Sequence, residues 1–460
     1  MLIPCVLSLA LGLWGVRREG TLWRDEVVTY DMALRTPGRL WGTLADADAV
    51  HGLHYLLMQG LFRLFGDDAD RLLVLRLPSV LATAAACGLL ALLGRHLAGP
   101  RAGLAAGVVL AVLPPVQRYA QEGRSYALVL ALVVWATYLL VRAVGTGRVR
   151  FWAGYGAVVL GACLLHEFAV LVLTAHVLVV PAHRRRAFLG AALPVCVLLA
   201  PLALLSATQS AQVAWIGGIG LTDGLGVAGM TGLGVGCALW LRRAGGPLPG
   251  RTLPGGLPRL GLALLVVPAA LLLAVSLVKP LYVDRYVLYS NAGAALLIGA
   301  VLGRARPRVL LVAGAAVLAL LPYSVHLRTP DSRLENVTAI GDTVRAAGRD
   351  ADGVLYLPGR RRVWSLADPA AFGGLRDLAR SGTPASSRTL YGTEVDPGTL
   401  RARMLATPRI LLLSDPAGQP MDRVAQEEMK RRILDSEFED CRRWRLRAVT
   451  ITLYARPGEC

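Results

Sequence analysis

The sequence predicts an all-α membrane protein: a polytopic bundle of about eleven transmembrane helices, with a surface-lying helix in the first external loop, followed by a small external α/β domain. Three observations predict it. Of 460 residues, 55% are hydrophobic and only 17% charged, whereas soluble chains carry roughly 25% charged residues. The apolar residues gather into runs of membrane-spanning length. The composition also breaks near residue 330: residues 1–330 hold 28 Arg and Lys against 13 Asp and Glu, and the remainder holds 21 against 18. The chain therefore reads as a span-bearing domain over 1–329 and a soluble α/β domain over 330–460. A soluble enzyme, a collagen-like fibre, a disordered tail and a small disulfide scaffold are excluded.

A span requires about 20 apolar residues. Runs of that kind cover approximately 1–16, 72–93, 102–117, 125–141, 151–165, 168–181, 187–205, 221–241, 260–278, 286–303 and 309–323. The first is short and lacks the basic flank of a signal peptide, so it is read as a true span.

The connections at 94–101, 142–150, 182–186, 242–259 and 304–308 hold fifteen arginines and no carboxylate. By the positive-inside rule they are cytoplasmic. All thirteen acidic residues of the bundle, from Glu19 to Asp284, then fall on or near the other face, and with eleven spans and an internal amino terminus the tail is external too. The net charge of +18 is thus topology rather than nucleic-acid binding. The expected location is the plasma membrane, in multiple passes. Of the seven cysteines, Cys5, Cys87, Cys163, Cys196 and Cys237 lie in apolar runs without metal-ligand spacing and read as core thiols.

Residues 17–70 are too polar to span and too long for a turn, which makes them a re-entrant or surface-lying loop. Within it, Leu53, Leu57, Leu61 and Leu64 share one helical face, suiting either a helix on the membrane surface or a short helix packed on the bundle. In the tail, 354–357, 410–413 and 449–454 read as buried strands and 421–434 as a charged helix. No phosphate-binding Gly-rich loop, HExxH, GxSxG or CxxC occurs in the chain, which speaks against a cytosolic nucleotide enzyme.

Four polar groups stand out at the external face. Asp25 and Glu26, beside Arg24, follow the first span, and paired acids there are candidates for chemistry rather than loop solvation. The stretch from Arg118 to Tyr126 brackets Glu122 between Arg118 and Arg124, which is either an ion pair pinning two helix ends or a catalytic or metal-binding group. His166 and Glu167 close the fifth span. Lys279, Tyr282, Arg285 and Tyr286 offer two cations and two phenols at the boundary, either to grip a lipid phosphate or to anchor spans in the aromatic belt.

In order and sidedness these groups resemble the GT-C integral membrane glycosyltransferases, in the glycosyltransferase family 39 or protein O-mannosyltransferase branch related to the aminoarabinose transferases. The resemblance runs through Asp25 and Glu26, the surface helix opening His51-Gly52-Leu53-His54-Tyr55, the stretch Arg71 to Pro78, Glu122, and the Arg285-Tyr286 pair. Gly52-Leu53 stand where many relatives have two prolines, and Asn291 stands near a position relatives often give to proline. The resemblance implies that Asp25 is the catalytic base, with Glu26 the next candidate. It also implies that His51, His54, Tyr55, Arg118, Glu122, Arg124, His166, Lys279, Tyr282, Arg285 and Tyr286 meet the substrates.

The expected reaction moves a sugar, with mannose the best guess, from a polyprenyl-phosphate donor to an external acceptor hydroxyl. A base on the acceptor and cations on the departing phosphate are what that step requires, and a single displacement inverts the anomeric centre. A divalent cation, Mg or Mn, held by Asp25 and Glu122 is an open expectation. The expected partners are membrane lipids, the lipid-linked donor and an external acceptor, without nucleic acid. The competing class is a transporter or flippase of a lipid-linked or small polar substrate, which predicts midplane acids and an inverted repeat that the sequence lacks. In the tail, Cys441 and Cys460 are expected to form a disulfide in an oxidising compartment.

Overall fold

Each of the eleven apolar runs is helical, yet they are not equal in length. The structure, a computed structural model, describes residues 1–460 except 67, 211–215, 245–252 and 417–423. Among the described residues, seven helices are long and apolar enough to cross a membrane: Arg71–Ala98, Tyr126–Thr146, Ala182–Thr208, Leu221–Arg243, Gly256–Ser276, Asp284–Leu302 and Pro307–His326. An eighth crossing arises if Pro100–Val112 and Pro114–Ala120, bent by 64°, form one span. The bend has a local cause: Pro114 has no N–H to donate, and it forces the extended φ of −61° and ψ of 126° at Leu113. Leu2–Leu13, Val149–Leu165 and Glu167–Val177 are helical but shorter than a crossing needs, so a count of eleven full spans is not reached by length. The fifth and sixth runs are separated by His166, which is extended at φ −165° and ψ 116°. Asp67, much of the 242–259 connection and residues 421–423 of the expected tail helix lie outside the described residues.

The chain forms two units. The first comprises 1–16, 48–57 and 73–327. Its helices approach closely through small residues: a Cβ on Gly103 would lie 2.3 Å from the Ala91 carbonyl oxygen, and one on Gly293 would lie 2.4 Å from that of Gly261. Such contacts replace the hydrophobic drive that lipid does not supply. A polar tie adds to them. His176 stands 2.9 Å from the Tyr155 hydroxyl and 3.1 Å from that of Thr137, joining three helices in the buried core. Helix Pro307–His326 turns Leu311, Val312 and Leu318 outward, as a lipid-facing span does.

The second unit joins 17–47 and 58–72 to the tail from 328. The first loop is thus built into the tail, whereas the sequence places all of 1–329 together. The joints are hydrogen bonds: Val337 N donates to the Leu22 carbonyl at 3.1 Å, and the Thr338 hydroxyl to that of Gly20 at 3.1 Å. Arg35 reaches Asp31, Thr43 and the Thr389 carbonyl at once.

Strands β1 (Gly353–Leu357), β2 (Arg376–Asp377), β5 (Arg409–Ser414), β6 (Glu439–Leu446) and β7 (Val449–Ala455) form a sheet in the order β2-β1-β5-β7-β6, while β3 (Arg380–Gly382) pairs with β4 (Thr393–Glu394). β1 and β5 run parallel, with Val354 opposite Leu411; β7 is antiparallel to both β5 and β6. Leu355, Leu357, Ile410 and Leu412 pack on Met404, Ile433 and Leu434. The charged helix is Ala425–Glu437. A disulfide joins Cys441 on β6 to Cys460.

Candidate functional site

One end of the first unit gathers polar side chains around Asp48. This residue takes a left-handed φ of 57°, which Asp tolerates better than most side chains. The chain then enters helix Gly52–Phe65. Positions 48, 51 and 55 share one helical face. The Asp48 carboxylate takes a hydrogen bond from the Tyr55 hydroxyl and lies 2.7 Å from His51 Nδ1. Arg124 approaches from the turn after Pro114–Ala120 and donates to His51 Nε2 at 2.9 Å and to the Tyr55 oxygen at 3.3 Å. Leu53, Leu57 and Leu64 of the same helix are the exposed face, and His54, Tyr55 and Met58 the buried one.

The turn that carries Arg124 is held on three sides. Gln121 Nε2 donates to the carbonyls of Gly12 and Trp14, at 2.9 and 2.7 Å; the Ser79 hydroxyl donates to those of Glu122 and Arg124; and His54 Nε2 meets that of Gly123 at 3.2 Å. His54, expected at the substrate, props this turn from a buried position. Glu122 is buried on the turn as well.

His166, 3% exposed, sits at the centre of an aromatic cage. Its ring centroid is 5.7 Å from His51, 5.5 Å from Tyr126 and 4.6 Å from Tyr286, and Phe168 stacks on Tyr286 at 5.4 Å. Arg285 closes the cage: its Nε donates to the Tyr126 hydroxyl at 3.1 Å, and its guanidinium lies 5.7 Å from the ring centres of both Tyr126 and Tyr286. Tyr119 donates to Asp284 at 3.1 Å, and Arg118 lies over the Tyr119 ring. Lys279 is exposed and Tyr282 half-buried; neither joins this cage, whose guanidinium groups are those of Arg285 and, through His51, Arg124.

Electrostatics follow from burial. Burial pushes the Asp48 carboxyl up, but the facing His51 with its hydrogen bond, the Arg124 charge and the Tyr55 hydroxyl outweigh it and hold the group down at about 2. Burial, with Arg124 and His51 nearby, pushes His54 down to about 3, against the Gly123 hydrogen bond that raises it.

In the second unit, the adjacent acids Asp25 and Glu26 part company. Glu26 is wholly buried, receives Arg18 Nη2 on both oxygens at 3.0 and 2.9 Å, and accepts from the Trp23 N–H at 3.4 Å. These ties cap helix Arg24–Leu34 and hold the Glu26 carboxylate against Arg18. Asp25, in the first turn of that helix, keeps its side chain 15% exposed, 3.6 Å from Arg24 Nε. Asp25 belongs to the second unit and Glu122 to the first, and among the described residues no group of three or more His, Cys, Asp or Glu side chains is arranged to hold a metal ion.

The site residues read from the sequence leave out Asp48, Tyr119, Tyr126, Phe168 and Asp284, although Tyr119 and Tyr126 lie in the singled-out stretch from Arg118 to Tyr126 and Asp284 adjoins Arg285. Asp48 had a signal, the three- and seven-residue spacing to His51 and Tyr55. Phe168 had none, because only the fold brings it to Tyr286.

Two crystal structures of ArnT from Cupriavidus metallidurans are similar at 12% identity. The one bound to undecaprenyl phosphate aligns over 98% of this chain and 97% of that one with a TM-score of 0.49; the apo form aligns over 93% and 96% with 0.39. No curated protein matches by sequence. Residues 53–210 match the family model of the dolichyl-phosphate-mannose-protein mannosyltransferases. Through that segment, which carries His54, Tyr55, Glu122, Arg124 and His166, the chain resembles the mannosyltransferase branch of the GT-C membrane glycosyltransferases.

Proposed function

We propose that the protein transfers a sugar, with mannose the best match to the family model, from a polyprenyl-phosphate donor to an acceptor hydroxyl at the external face of the plasma membrane. The observation that carries this reading is the cage of Arg124, His166, Arg285, Tyr126 and Tyr286, which lies in and beside the matched segment. It holds two guanidinium groups and two phenols where the spans begin and end. Arg grips phosphate oxygens in pairs, and rings on its flat faces fix its direction.

In the reaction, Asp25 takes the proton of the acceptor hydroxyl as the oxygen attacks the anomeric carbon. The bond from that carbon to the phosphate oxygen breaks, its electron pair stays on the phosphate, and the configuration inverts. Arg285 meets the charge that grows on the phosphate, which is where a fixed cation lowers the barrier most. Glu26 holds the helix that presents Asp25.

The test is an assay of membranes containing the protein with labelled polyprenyl-phosphate mannose, the product being identified by mass spectrometry. Transfer is expected from the full chain and lost in Asp25→Asn, with donor binding kept. Arg285→Ala should weaken donor binding more than Arg71→Ala. Near-normal turnover by Asp25→Asn removes that residue from the mechanism, and equal effects of the two arginine variants reduce Arg285 to a membrane anchor.

A further inference from the structure

The ion pairs of the second unit form a line from the first loop to the sheet of the tail. Arg24 Nε lies 3.6 Å from Asp25 Oδ1, and Arg24 Nη1 lies 3.4 Å from Glu335 Oε1. That same Glu335 oxygen receives Arg361 Nη1 at 2.6 Å, and its other oxygen accepts from the Trp364 indole at 3.2 Å. Arg361 Nε then donates to Asp415 at 2.5 Å. Arg361 follows β1 and Asp415 follows β5, so the line ends at the carboxyl ends of two neighbouring parallel strands.

This line is more than surface decoration. Glu335 is 3% exposed, and a carboxylate so buried is strongly destabilising once its cations are removed. The Arg361 guanidinium also lies 5.2 Å from the Trp364 ring centre, which leaves it little freedom. Arg24 is shared between the anchored Glu335 and the more exposed Asp25. A planar guanidinium with two carboxylate neighbours has few orientations left, so it passes the rigidity of the sheet to the first turn of helix Arg24–Leu34. The short helix Val363–Ala367 packs on that same helix.

We propose that Glu335 and Arg361 are positioning residues that set Asp25 through Arg24, and that this is the task of the tail in the reaction. The inference rests on the reading of Asp25 as base. It gives a reason for a sheet to follow the spans: the base sits in the first turn of helix Arg24–Leu34, and the sheet supplies the fixed frame. A base displaced by about 1 Å costs on the order of a hundredfold in rate.

Glu335→Gln in the full chain tests it, because glutamine keeps the shape and one acceptor oxygen but loses the charge. Hydrogen exchange across residues 22–30, which requires no substrate, should become faster. Transfer from undecaprenyl-phosphate mannose should fall roughly ten- to a hundredfold in kcat with the donor KM unchanged. The double variant Glu335→Arg with Arg361→Glu restores an ion pair but turns a cation toward Arg24, so it should recover thermal stability without recovering kcat. If Glu335→Gln does not fold, Arg24→Gln cuts the line at its exposed end and is read in the same way. Unchanged exchange at 22–30, or full turnover by Glu335→Gln beside an inactive Asp25→Asn, overturns the positioning role and leaves the base reading standing. An active Asp25→Asn overturns both.

Discussion

Arg124 Nη2 donates to His51 Nε2 at 2.9 Å, and that one contact fixes which edge of the imidazole meets which partner. Arginine has no acceptor, so Nε2 faces the guanidinium while Nδ1 lies 2.7 Å from the Asp48 carboxylate. Arg124 also places its own charge near Asp48. The Tyr55 hydroxyl completes the ring by donating to Asp48 and accepting from Arg124.

Arg124→Lys should break this ring while keeping the charge. An ammonium is a point donor on a flexible stem and cannot reach His51 and Tyr55 with the spacing of a planar fork. We expect transfer to fall by about tenfold or more with little loss of thermal stability, read as initial rates beside unfolding temperatures in detergent. Unchanged rates would show that the ring serves folding alone.

The buried His54 makes stability depend on pH. Its folded value is pushed down to about 3, against an ordinary value near 6.5, so between the two the unfolded chain binds a proton that the folded one refuses. Stability is then fully present above about 6.5 and declines as pH falls below it, with a slope of up to roughly 1.4 kcal/mol per pH unit. Unfolding followed from pH 7.5 to pH 5 should show the decline, and His54→Gln should flatten it. An equal slope in that variant would assign the effect to another group.

Glu26 and Asp25 should fail in different ways. Glu26→Gln takes from the buried Arg18 the carboxylate that meets it through both oxygens, and breaking a buried pair typically costs about 3–5 kcal/mol, so the protein should be unstable whatever its activity. Asp25→Asn should keep its stability and lose transfer, a base being worth roughly a hundred- to ten-thousandfold. Circular dichroism melts of the two variants separate these outcomes; equal destabilisation would make both acids structural.

The spans were legible because an apolar run needs no partner to declare itself, and Arg24–Asp25–Glu26 stood out because acids are scarce beside membrane. What could not be read is what the fold joins across distance. The pairing of Leu22 with Val337 and of Arg24 with Glu335 spans about 300 residues, so the first loop gave no sign that it belongs with the tail. β6 went unread for a different reason: its sequence, EDCRRWRL, is almost wholly polar, as suits an edge strand that uses charge to repel further pairing. His166 was singled out at the end of a helix, but its cage assembles from four separate segments.

Sidedness is open to direct labelling. Fifteen arginines and no carboxylates mark one set of connections, so a cysteine at Arg150 should react with an impermeant reagent only after the membrane is opened. A cysteine at Arg401 in the tail should react in intact cells. Both positions are exposed, and the five free cysteines are first replaced. Labelling of the Arg401 position only after permeabilisation would put Asp25 chemistry on the cytoplasmic side and remove the reason for a lipid-carried donor.

The disulfide from Cys441 to Cys460 makes a related prediction about compartment. Cys441 lies on the edge strand β6, and Cys460 follows β7, its antiparallel neighbour, so the bridge ties the end of the chain to the rim of the sheet. The ends are 19 residues apart, and closing a loop of that size stabilises by about 3 kcal/mol in the chain-entropy model. Less is expected here, because β6 and β7 already hold most of the loop. Glu459 also offers its carbonyl to Arg409 at 3.1 Å, a contact that reduction should loosen. Replacing both cysteines by serine should therefore lower the unfolding free energy of the tail by up to about 3 kcal/mol and leave transfer intact, since neither sulfur lies on the line from Asp25 to Asp415. Peptide mapping of unreduced, alkylated protein should recover the two cysteines as one linked pair. Two alkylated thiols would refute the bridge and, because disulfides persist in oxidising compartments, would argue that the tail faces the cytoplasm.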